Sequence, residues 1–392
     1  MFNHQAWSLL LAHINQYYGQ EKGVIPLHAP CFDAREKALV VDTIESTFVS
    51  SVGAYVTEFE QAVALFTGAK HAVAVVNGTM GLYLALKVVG IQPNDLVLTQ
   101  SLTFVATPNA IKMHQADPVF IDVEHKTLGL CPESLSAFLN EHTEQQLGQC
   151  VHRQTGRVIR ACMPMHTLGF PARIDVILEI CNQHNVALVE DAAESLGSLY
   201  KGLHTGRFGK VGVFSFNGNK VITTGGGGML ITDDDELAAS AKHLSTTAKI
   251  SHAWKFEHDE SAYNLRMPNI NAALGVAQMQ KLPSFLAEKR HWALSYQQLP
   301  GLVMLKESNN SQANYWLNAL LCESEAERDA FLEFSNGQNI QTRPLWTPMH
   351  QLPIYKDCLR TDLPNTEWLA QRIVNLPSGV VCSKKPEKGS HG

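Results

Sequence analysis

Short apolar runs that alternate with helix-like segments constrain the fold of this chain more than any other feature of its sequence. Each run is followed by a turn and then by apolar residues at helical spacing. This alternation predicts an α/β fold with a mostly parallel, doubly wound sheet. The predicted strands are AVAVV (72–76), LVLT (96–99), PVFIDV (118–123), VALVED (186–191), VGVFSF (211–216) and GMLITD (228–233).

The pattern changes after about residue 280, where short strands, helices and prolines mix. We therefore predict a large domain over 26–280 and a smaller C-terminal α/β domain over 281–384. The first 25 residues read as an amphipathic helix packed on the body. Residues 385–392 read as a solvated tail or a remnant of expression. A long helix near the boundary should break at Pro283, because proline lacks the N–H that a helix interior requires.

Composition excludes several classes of protein. With 45% hydrophobic and 17% charged residues, the chain reads as soluble and globular. Its net charge of −6 gives no sign of a nucleic-acid surface, and no apolar run is long enough to span a membrane. The dispersed histidines form no metal-binding pair, so we expect no metal. The eight cysteines form no C-x-x-C pair and predict buried thiols in a reducing cytoplasm; they are Cys31, Cys131, Cys150, Cys162, Cys181, Cys322, Cys358 and Cys382.

Lys220, in SFNGNKVITTGGGG, lies between a strand and four glycines. A phosphate-binding P-loop would place glycines before the lysine and a hydroxyl residue after it. Here the glycines follow Lys220, and Val221 occupies the hydroxyl position. The segment is therefore not a P-loop, and the lysine needs another explanation.

Three features should meet at the carboxyl edge of the sheet, where open α/β sheets bind ligands. Gly78 and Thr79 begin a helix after a strand, which suits an anion, although Thr79 could simply cap the helix. Asp191 ends a strand and is either functional or a cap of the next helix. Lys220 also follows a strand, where the ordinary alternative is a solvated lysine.

Together these features predict a pyridoxal 5'-phosphate (PLP) site. This cofactor requires a phosphate cradle, a lysine that binds its aldehyde and a carboxylate on its pyridine nitrogen. Lys220 would carry the cofactor as an imine and later act as general acid and base. The glycines after Lys220 would let the chain turn back into the strand GMLIT.

The chain resembles the DegT/DnrJ/EryC1/StrS family of nucleotide-sugar aminotransferases. The resemblance runs from about Pro26 to Pro377 in the family's order. It rests on SSVGAYVTEFEQAVALFTGAKHAVAVVNGTMGLYLAL, SLTFVATPNAI, VEDAAES, GKVGVFSFNGNKVITTGGGGMLITDD and YNLRMPNINAALGVAQMQKL. It implies a fold-type I PLP-dependent enzyme.

The resemblance also implies a role for each matching residue. Lys220 would be catalytic and Asp191 would hold the pyridine nitrogen. Phe104 would stack on the cofactor ring, unless it is a core residue. Glu194 would reach the cofactor's 3-oxygen, although many members carry Gln there and a helix-surface role is the alternative. The phosphate ligands would be Gly78, Thr79 and Ser215, with Asn264 contributed by the neighbouring subunit of a homodimer.

Two further residues are candidates for substrate binding. His166 follows the strand RACMPM at the same edge of the sheet. Arg343 could pair with a diphosphate, because a guanidinium suits bidentate contact with anions. Packing or a salt bridge is an equal alternative for each.

Gly226 replaces the Glu of the common T-T-G-E-G-G sequence, and with PLHAPCF and SSVGAYV it resembles the legionaminic acid-type branch. That resemblance implies 4-amination of UDP-4-keto-6-deoxy-N-acetylhexosamine, with L-glutamate as donor, for a surface glycan. A GDP-linked 4-aminotransferase of the perosamine type is one alternative, and a non-catalytic PLP-binding regulator is another. Sugar 3-dehydratases carry His in place of the lysine, so Lys220 argues against that class.

Overall fold

The computed structural model describes residues 3–19 and 23–382, and the predicted tail 385–392 lies outside them. The helices are α1 (His4–Tyr18), α2 (Ala34–Glu45), α3 (Ala54–Thr67), α4 (Gly78–Val88), α5 (Ala106–Met113), α6 (Pro132–His142), α7 (Ile174–Gln183), α8 (Asp235–Ser245), α9 (Asn269–Tyr296), α10 (Glu325–Asn336) and α11 (Pro364–Ala370). No helix in these described stretches is both long and apolar enough to cross a bilayer.

The strands fall into one large sheet and several small ones. They are β1 (His71–Val75), β2 (Leu96–Gln100), β3 (Asp117–Ile121), β4 (Thr143–Gln146), β5 (Gln149–His152), β6 (Ile159–Cys162), β7 (Ala187–Asp191), β8 (Leu199–Tyr200), β9 (Leu203–His204), β10 (Val211–Ser215), β11 (Gly228–Thr232), β12 (Lys249–Ile250), β13 (Glu257–His258), β14 (Ser311–Gln312), β15 (Asn318–Leu321), β16 (Arg343–Pro344) and β17 (Ile373–Leu376).

The large sheet has the order β1-β11-β10-β7-β6-β2-β3 in the described residues. Strands β10, β7, β6, β2 and β3 pair in parallel, and β11 runs antiparallel to both β1 and β10. The prediction of a mostly parallel sheet is therefore confirmed. Because β11 is reversed, it begins at the edge where β1, β7 and β10 end, which returns the glycine-rich loop to that edge.

The strands are apolar throughout because helices cover both faces of the sheet. The core residues of β2 and β7 are fully or almost fully buried. One apolar cluster joins α4 to β1, β10 and β11, and a second joins β2 and β3 to α6 and α7. The strand ends, and with them the polar residues that follow, are therefore held by a rigid two-sided core.

Helix α9 contains the predicted domain boundary at 280 within its length, so no loop lies at that position. Its register continues through Pro283, and the prediction of a break is wrong. A proline in a helix interior costs about 3 kcal/mol. Here α9 packs against α2 and α3 in its first half, and it buries Phe285, Trp292 and Tyr296 in its second. That packing outweighs the lost hydrogen bond.

The N-terminal helix α1 packs on the C-terminal part of the chain. Its buried residues Trp7, Leu10 and Ile14 share a cluster with Trp292 of α9 and Phe331 of α10. The same cluster includes side chains of β15 and β17. The predicted packing of an amphipathic N-terminal helix on the body agrees with this arrangement, and the body it contacts is the C-terminal region.

Residues 27–31 and 378–382 lie side by side, and this changes one expectation about the cysteines. Ser378 N–H donates to Leu27 O at 2.8 Å, and Cys31 is disulfide-bonded to Cys382, with a Cα–Cα distance of 5.4 Å. The prediction of eight thiols is wrong for this pair, because a separation of 351 residues leaves no spacing signal. The other cysteines are free: Cys358 is partly exposed, and Cys131, Cys150, Cys162, Cys181 and Cys322 are buried.

Candidate active site

A cleft at the carboxyl edge of the large sheet collects most of the residues predicted from the sequence. Its floor comes from the ends of β1, β7 and β10 and from the loop that follows β10. Its outer wall includes two tryptophans from the C-terminal region. The lining residues are Asn77, Gly78, Thr79, Leu82, Phe104, Ala106, Met165, Asp191, Ala193, Glu194, Ser215, Asn217, Asn219, Lys220, Trp316 and Trp346.

The first turn of α4 forms a narrow cradle against the end of β10. Asn77 caps the helix, its Oδ1 accepting the Met80 N–H at 2.9 Å, so Thr79 is not the cap. A Cβ on Gly78 would lie 2.8 Å from Cβ of Ser215, so only glycine fits there. Backbone N–H groups, the helix dipole and two hydroxyls thus face one small space, which fits a phosphate.

Asp191 is the anionic group of the floor and is 2% exposed. Its Oδ2 accepts from the Thr107 hydroxyl at 2.6 Å, and its Oδ1 accepts from the Ala193 N–H at 3.1 Å. Burial raises the pKa of Asp191, and the Thr107 and Ala193 hydrogen bonds and the charge of Lys220 oppose that shift. The carboxylate is therefore held in place and not solvated, as a partner for a cofactor's ring nitrogen must be.

Lys220 extends from the loop after β10 into the cleft, and its side chain is 12% exposed. Its Nζ lies 3.2 Å from Glu194 Oε1 and 4.1 Å from the centroid of the Trp316 ring. The alternative of a solvated surface lysine therefore does not hold. The Trp316 indole N–H in turn donates to Asn219 O at 2.6 Å, which ties the ring to the same loop.

Glu194 is buried in the floor and is not on a helix surface. Its Oε2 accepts from the Leu168 N–H at 2.8 Å, while its Oε1 faces Lys220. Burial raises the pKa of Glu194 to about 7, and the nearby Lys220 charge limits the rise. A carboxyl that titrates near neutral pH beside a lysine is suited to exchanging protons with that lysine.

The four glycines after Lys220 serve two identifiable needs. Gly225 has a φ of +79°, in the left-handed region that favours glycine. A Cβ on Gly228 would lie 2.7 Å from the Asn77 carbonyl group, where β11 passes the α4 cradle. A Cβ on Gly226 would meet no atom within 4 Å, so a side chain could start at this position without a clash. The Gly226 variation is therefore not imposed by packing within the chain.

Phe104 lies on the outer wall of the cleft and is 46% exposed, so it is not a core residue. Its ring centroid is 6.1 Å from that of Trp346, in an edge-to-face arrangement. Sequence reasoning missed Trp316 and Trp346. Their only signal was two large aromatic residues in the C-terminal region, which have no fixed spacing from Lys220.

His166 lies beneath the cleft and not in it. Its Nε2 lies 2.9 Å from Glu190 Oε2 and its Nδ1 accepts from the Ala172 N–H at 3.1 Å, so both ring nitrogens are engaged within the chain. The ring is fully buried. The structure therefore gives His166 a supporting position, and it does not bring the side chain to a substrate.

Arg343 and Asn264 also lie outside the cleft of their own chain. Arg343 is exposed, and its guanidinium donates to Asn336 Oδ1 at 3.0 Å and to the Thr342 carbonyl. Asn264 is exposed, and its Oδ1 accepts from Arg266 Nε at 2.9 Å. Within one chain, neither side chain meets the predicted cofactor residues.

One group of possible metal ligands lies outside the cleft. His243, Asp259 and Glu260 place their ligand atoms within 4.8 Å of one another, and none of them lines the cleft. His243 and Asp259 pair directly at 2.6 Å. This geometry is common at protein surfaces without a metal, and the cleft chemistry does not involve it.

The fold and the cleft together define a PLP-dependent enzyme. A glycine that only fits without a Cβ, a buried carboxylate and a lysine face one space in the arrangement that the cofactor requires. Asp191, Lys220 and the cradle of Gly78, Thr79 and Ser215 are the residues that would hold it.

Comparison with known proteins identifies the family. Residues 30–387 match the DegT/DnrJ/EryC1/StrS aminotransferase family, and the chain belongs to it. The GDP-perosamine synthase of Vibrio cholerae is 35% identical over 361 residues, covering 91% of this chain and 94% of that protein. The corresponding enzyme of Caulobacter vibrioides is 34% identical over 361 residues, covering 90% and 93%. The chain is thus a PLP-dependent sugar aminotransferase.

Solved structures agree with this assignment. A DegT DnrJ EryC1 StrS aminotransferase from Brucella abortus superimposes with a TM-score of 0.80 at 25% identity, covering 88% of this chain and 90% of that one. The aminotransferase TlmJ from Streptoalloteichus hindustanus gives a TM-score of 0.81 at 27% identity, covering 91% and 93%. The predicted fold class and cofactor are confirmed.

Proposed function

We propose that this enzyme moves an amino group from L-glutamate to the C4 keto group of a nucleotide-linked 4-keto-6-deoxy sugar. The observation that carries the proposal is the position of Lys220, whose Nζ lies at the cleft surface between Glu194 and Trp316. Bound PLP would supply the electron sink and would hold the amino group between the two half-reactions. The protein would place Lys220, the proton acceptor Glu194 and the anionic Asp191 around the cofactor.

Each residue of the floor would have a distinct task. Lys220 would move a proton at the substrate carbon, and its position beside Glu194 gives that proton a neighbouring acceptor 3.2 Å away. Asp191 would hold a proton on the ring nitrogen. Gly78, Thr79 and Ser215 would bind the phosphate. The aromatic wall of Phe104, Trp316 and Trp346 would exclude water and bind the apolar face of the sugar and cofactor.

Two candidate substrates differ in the nucleotide to which the sugar is linked. The sequence features around Gly226 support UDP-4-keto-6-deoxy-N-acetylhexosamine, as in the legionaminic acid-type branch. The 35% identity with a GDP-perosamine synthase supports GDP-4-keto-6-deoxymannose instead. In either case the product would be a 4-amino sugar nucleotide for a surface glycan. The UDP-linked N-acetyl sugar is the first candidate.

We also propose a homodimer with active sites at the subunit interface. Lys220 is the one cationic side chain among the described residues that line the cleft, yet the substrate carries a diphosphate. Asn264 follows an exposed hairpin (249–258) that carries Lys249, Lys255 and the exposed rings of Trp254 and Phe256. A second copy could present these groups, with Asn264, to the cleft.

We also propose a cytoplasmic location, because the proposed substrate is a nucleotide-linked sugar. The free cysteines support it, whereas the Cys31–Cys382 disulfide would be unusual there. Thiol counting on protein isolated from cells under alkylating conditions would decide whether the pair is oxidised in its natural compartment.

Two half-reactions test the proposed function. The enzyme is first converted to its amine form with L-glutamate, and the donor is removed. UDP-4-keto-6-deoxy-N-acetylhexosamine and GDP-4-keto-6-deoxymannose are then added separately while the absorbance of the aldehyde form is followed. Return with the UDP sugar alone supports the first candidate, and return with the GDP sugar alone supports the second. Return with neither contradicts both substrates.

A further inference from the structure

A buried threonine contacts the carboxylate that faces the cleft. Thr107, in the first turn of α5, is fully buried, and its hydroxyl donates to Asp191 Oδ2 at 2.6 Å. The two residues are 84 positions apart in the sequence. A hydrogen bond to an ionised group in a buried place is about twice as strong as one between neutral groups.

The hydrogen bond from Thr107 to Asp191 fixes the direction of a second one, between Thr103 and Thr107. Thr103 Oγ1 lies 3.0 Å from Thr107 Oγ1 and 3.0 Å from the sulfur of Met165. Since Thr107 gives its single hydroxyl proton to the carboxylate, its oxygen can only accept from Thr103. Two buried threonines therefore form a short chain of hydrogen bonds that ends on Asp191.

The remaining contacts of Asp191 are two through its backbone and one to its other carboxylate oxygen. Its N–H donates to Pro164 O at 2.9 Å, and its carbonyl accepts from His166 N–H at 3.1 Å. The Ala193 N–H contacts Oδ1. Thr107 is the side chain that contacts Oδ2, so its hydroxyl and the Ala193 N–H together set the orientation of the carboxylate toward the cleft.

We propose that Thr107 is a positioning residue that keeps the Asp191 carboxylate anionic and aimed at the ring nitrogen of PLP. The inference rests on the role proposed above for Asp191 and extends it to a residue that does not line the cleft. The titratable groups whose charges act on Asp191 are Lys220, His166 and Glu194, and the structure gives no bond from any of their side chains to its carboxylate among the described residues.

The test compares Thr107→Val with a matched control. Valine keeps the shape of threonine and removes the hydroxyl. The control is Thr99→Val, because Thr99 is also fully buried and its hydroxyl donates at 2.8 Å to the Met163 carbonyl and not to Asp191. Thr107→Ser restores the hydroxyl. Two properties are measured on each protein: the Kd for PLP, and the pH midpoint of the absorbance change of the bound cofactor.

We expect Thr107→Val to weaken PLP binding about tenfold or more, since a hydrogen bond to a charged group is lost. The absorbance midpoint should move to higher pH, because a poorly held proton on the ring nitrogen removes a positive charge that disfavours protonation nearby. Thr107→Ser and Thr99→Val should stay close to wild type. If Thr107→Val does not fold, Thr107→Ala is measured instead.

The failure of this inference can be separated from failure of the proposed site. If Asp191→Asn binds PLP with the wild-type affinity and midpoint, the role of Asp191 is wrong and this inference falls with it. If Asp191→Asn is impaired but Thr107→Val matches Thr99→Val in both measurements, Asp191 keeps its role and only the inference about Thr107 is overturned.

Discussion

The floor and the outer wall of the cleft are built in different ways. In the floor, Asp191 and Glu194 are each 2% exposed, and both carboxylates have hydrogen-bond partners in the same chain. On the wall, Phe104 is 46% exposed and its nearest ring partner, Trp346, is 6.1 Å away. The cofactor side is thus preorganised by contacts within the chain, whereas the substrate side is more open.

This comparison predicts that substitutions in the cleft floor have the largest effect, and the largest of all is expected at Lys220. We expect Lys220→Gln to lower turnover between about 100-fold and 10,000-fold, because a positioned acid–base group contributes that much. Borohydride reduction followed by peptide mapping should place the cofactor on Lys220 in wild type. Lys306→Gln, at an exposed position, is the control. Cofactor recovered on another lysine would show that the floor is assigned wrongly.

A Glu194 variant tests whether burial in the cleft floor raises the pKa of this carboxyl. A carboxyl with a raised pKa holds its proton more tightly in the folded state, so stability falls as pH rises from its ordinary value of 4.5 to about 7. Relative to Glu194→Gln, the unfolding free energy of cofactor-free wild type should therefore fall by about 3 kcal/mol across that window. Urea unfolding at several pH values measures this.

The exposed Glu141→Gln is the matched control for that experiment and should follow the wild-type pH profile. Parallel profiles for wild type and Glu194→Gln would mean that folding does not raise the pKa of Glu194, and that the floor is more polar than its burial indicates.

Asn264 tests whether a second subunit completes the cleft. Asn264→Asp keeps the shape of the side chain and adds a negative charge, so it should weaken PLP binding about tenfold or more if it faces the phosphate. Asn140→Ala serves as an exposed control. Coexpression with Lys220→Gln gives a sharper result: mixed dimers contain one intact site, so about a quarter of wild-type activity should return. Activity no higher than that of the two separate variants would contradict a site shared between subunits.

A substitution of Trp316 should lower turnover least, because this residue belongs to the outer wall of the cleft and not to its floor. Trp316→Phe keeps an aromatic face toward Lys220 and removes the hydrogen bond to Asn219 O. Turnover should fall about three- to tenfold, the size expected for one neutral hydrogen bond. Trp368→Phe, in α11 and outside the cleft, is the matched control. A loss of turnover as large as that of Lys220→Gln would show that Trp316 contributes as much as the residues of the cleft floor.

Much of the floor could be predicted because it follows strand ends. Gly78, Asp191, Ser215 and Lys220 each come directly after an apolar run or begin the helix behind it, and parallel strands end at one edge. The positions that prediction could not reach are set by contacts between distant segments. Thr107 contacts Asp191 across 84 residues, and Trp316 follows Lys220 by 96, with no periodic signal for either.

Two expectations failed for a related reason. The break expected at Pro283 follows from local backbone chemistry, but α9 is stabilised along its length by packing on other elements. The cysteines were interpreted from spacing alone, whereas Cys31 and Cys382 meet because the segments that carry them, 27–31 and 378–382, lie side by side. In both cases tertiary contacts outweighed the local pattern.

The sequence by itself determined the alternation of strands and helices, the order of the motifs, and the lysine, carboxylate and glycines that identify the family. These depend on local periodicity and on residue type at a strand end. Only the tertiary structure decided which side chains support those residues, that His166 lies beneath the cleft and Arg343 outside it, and that two tryptophans close its wall. Such choices depend on which distant segments pack together, and packing is a property of the whole chain.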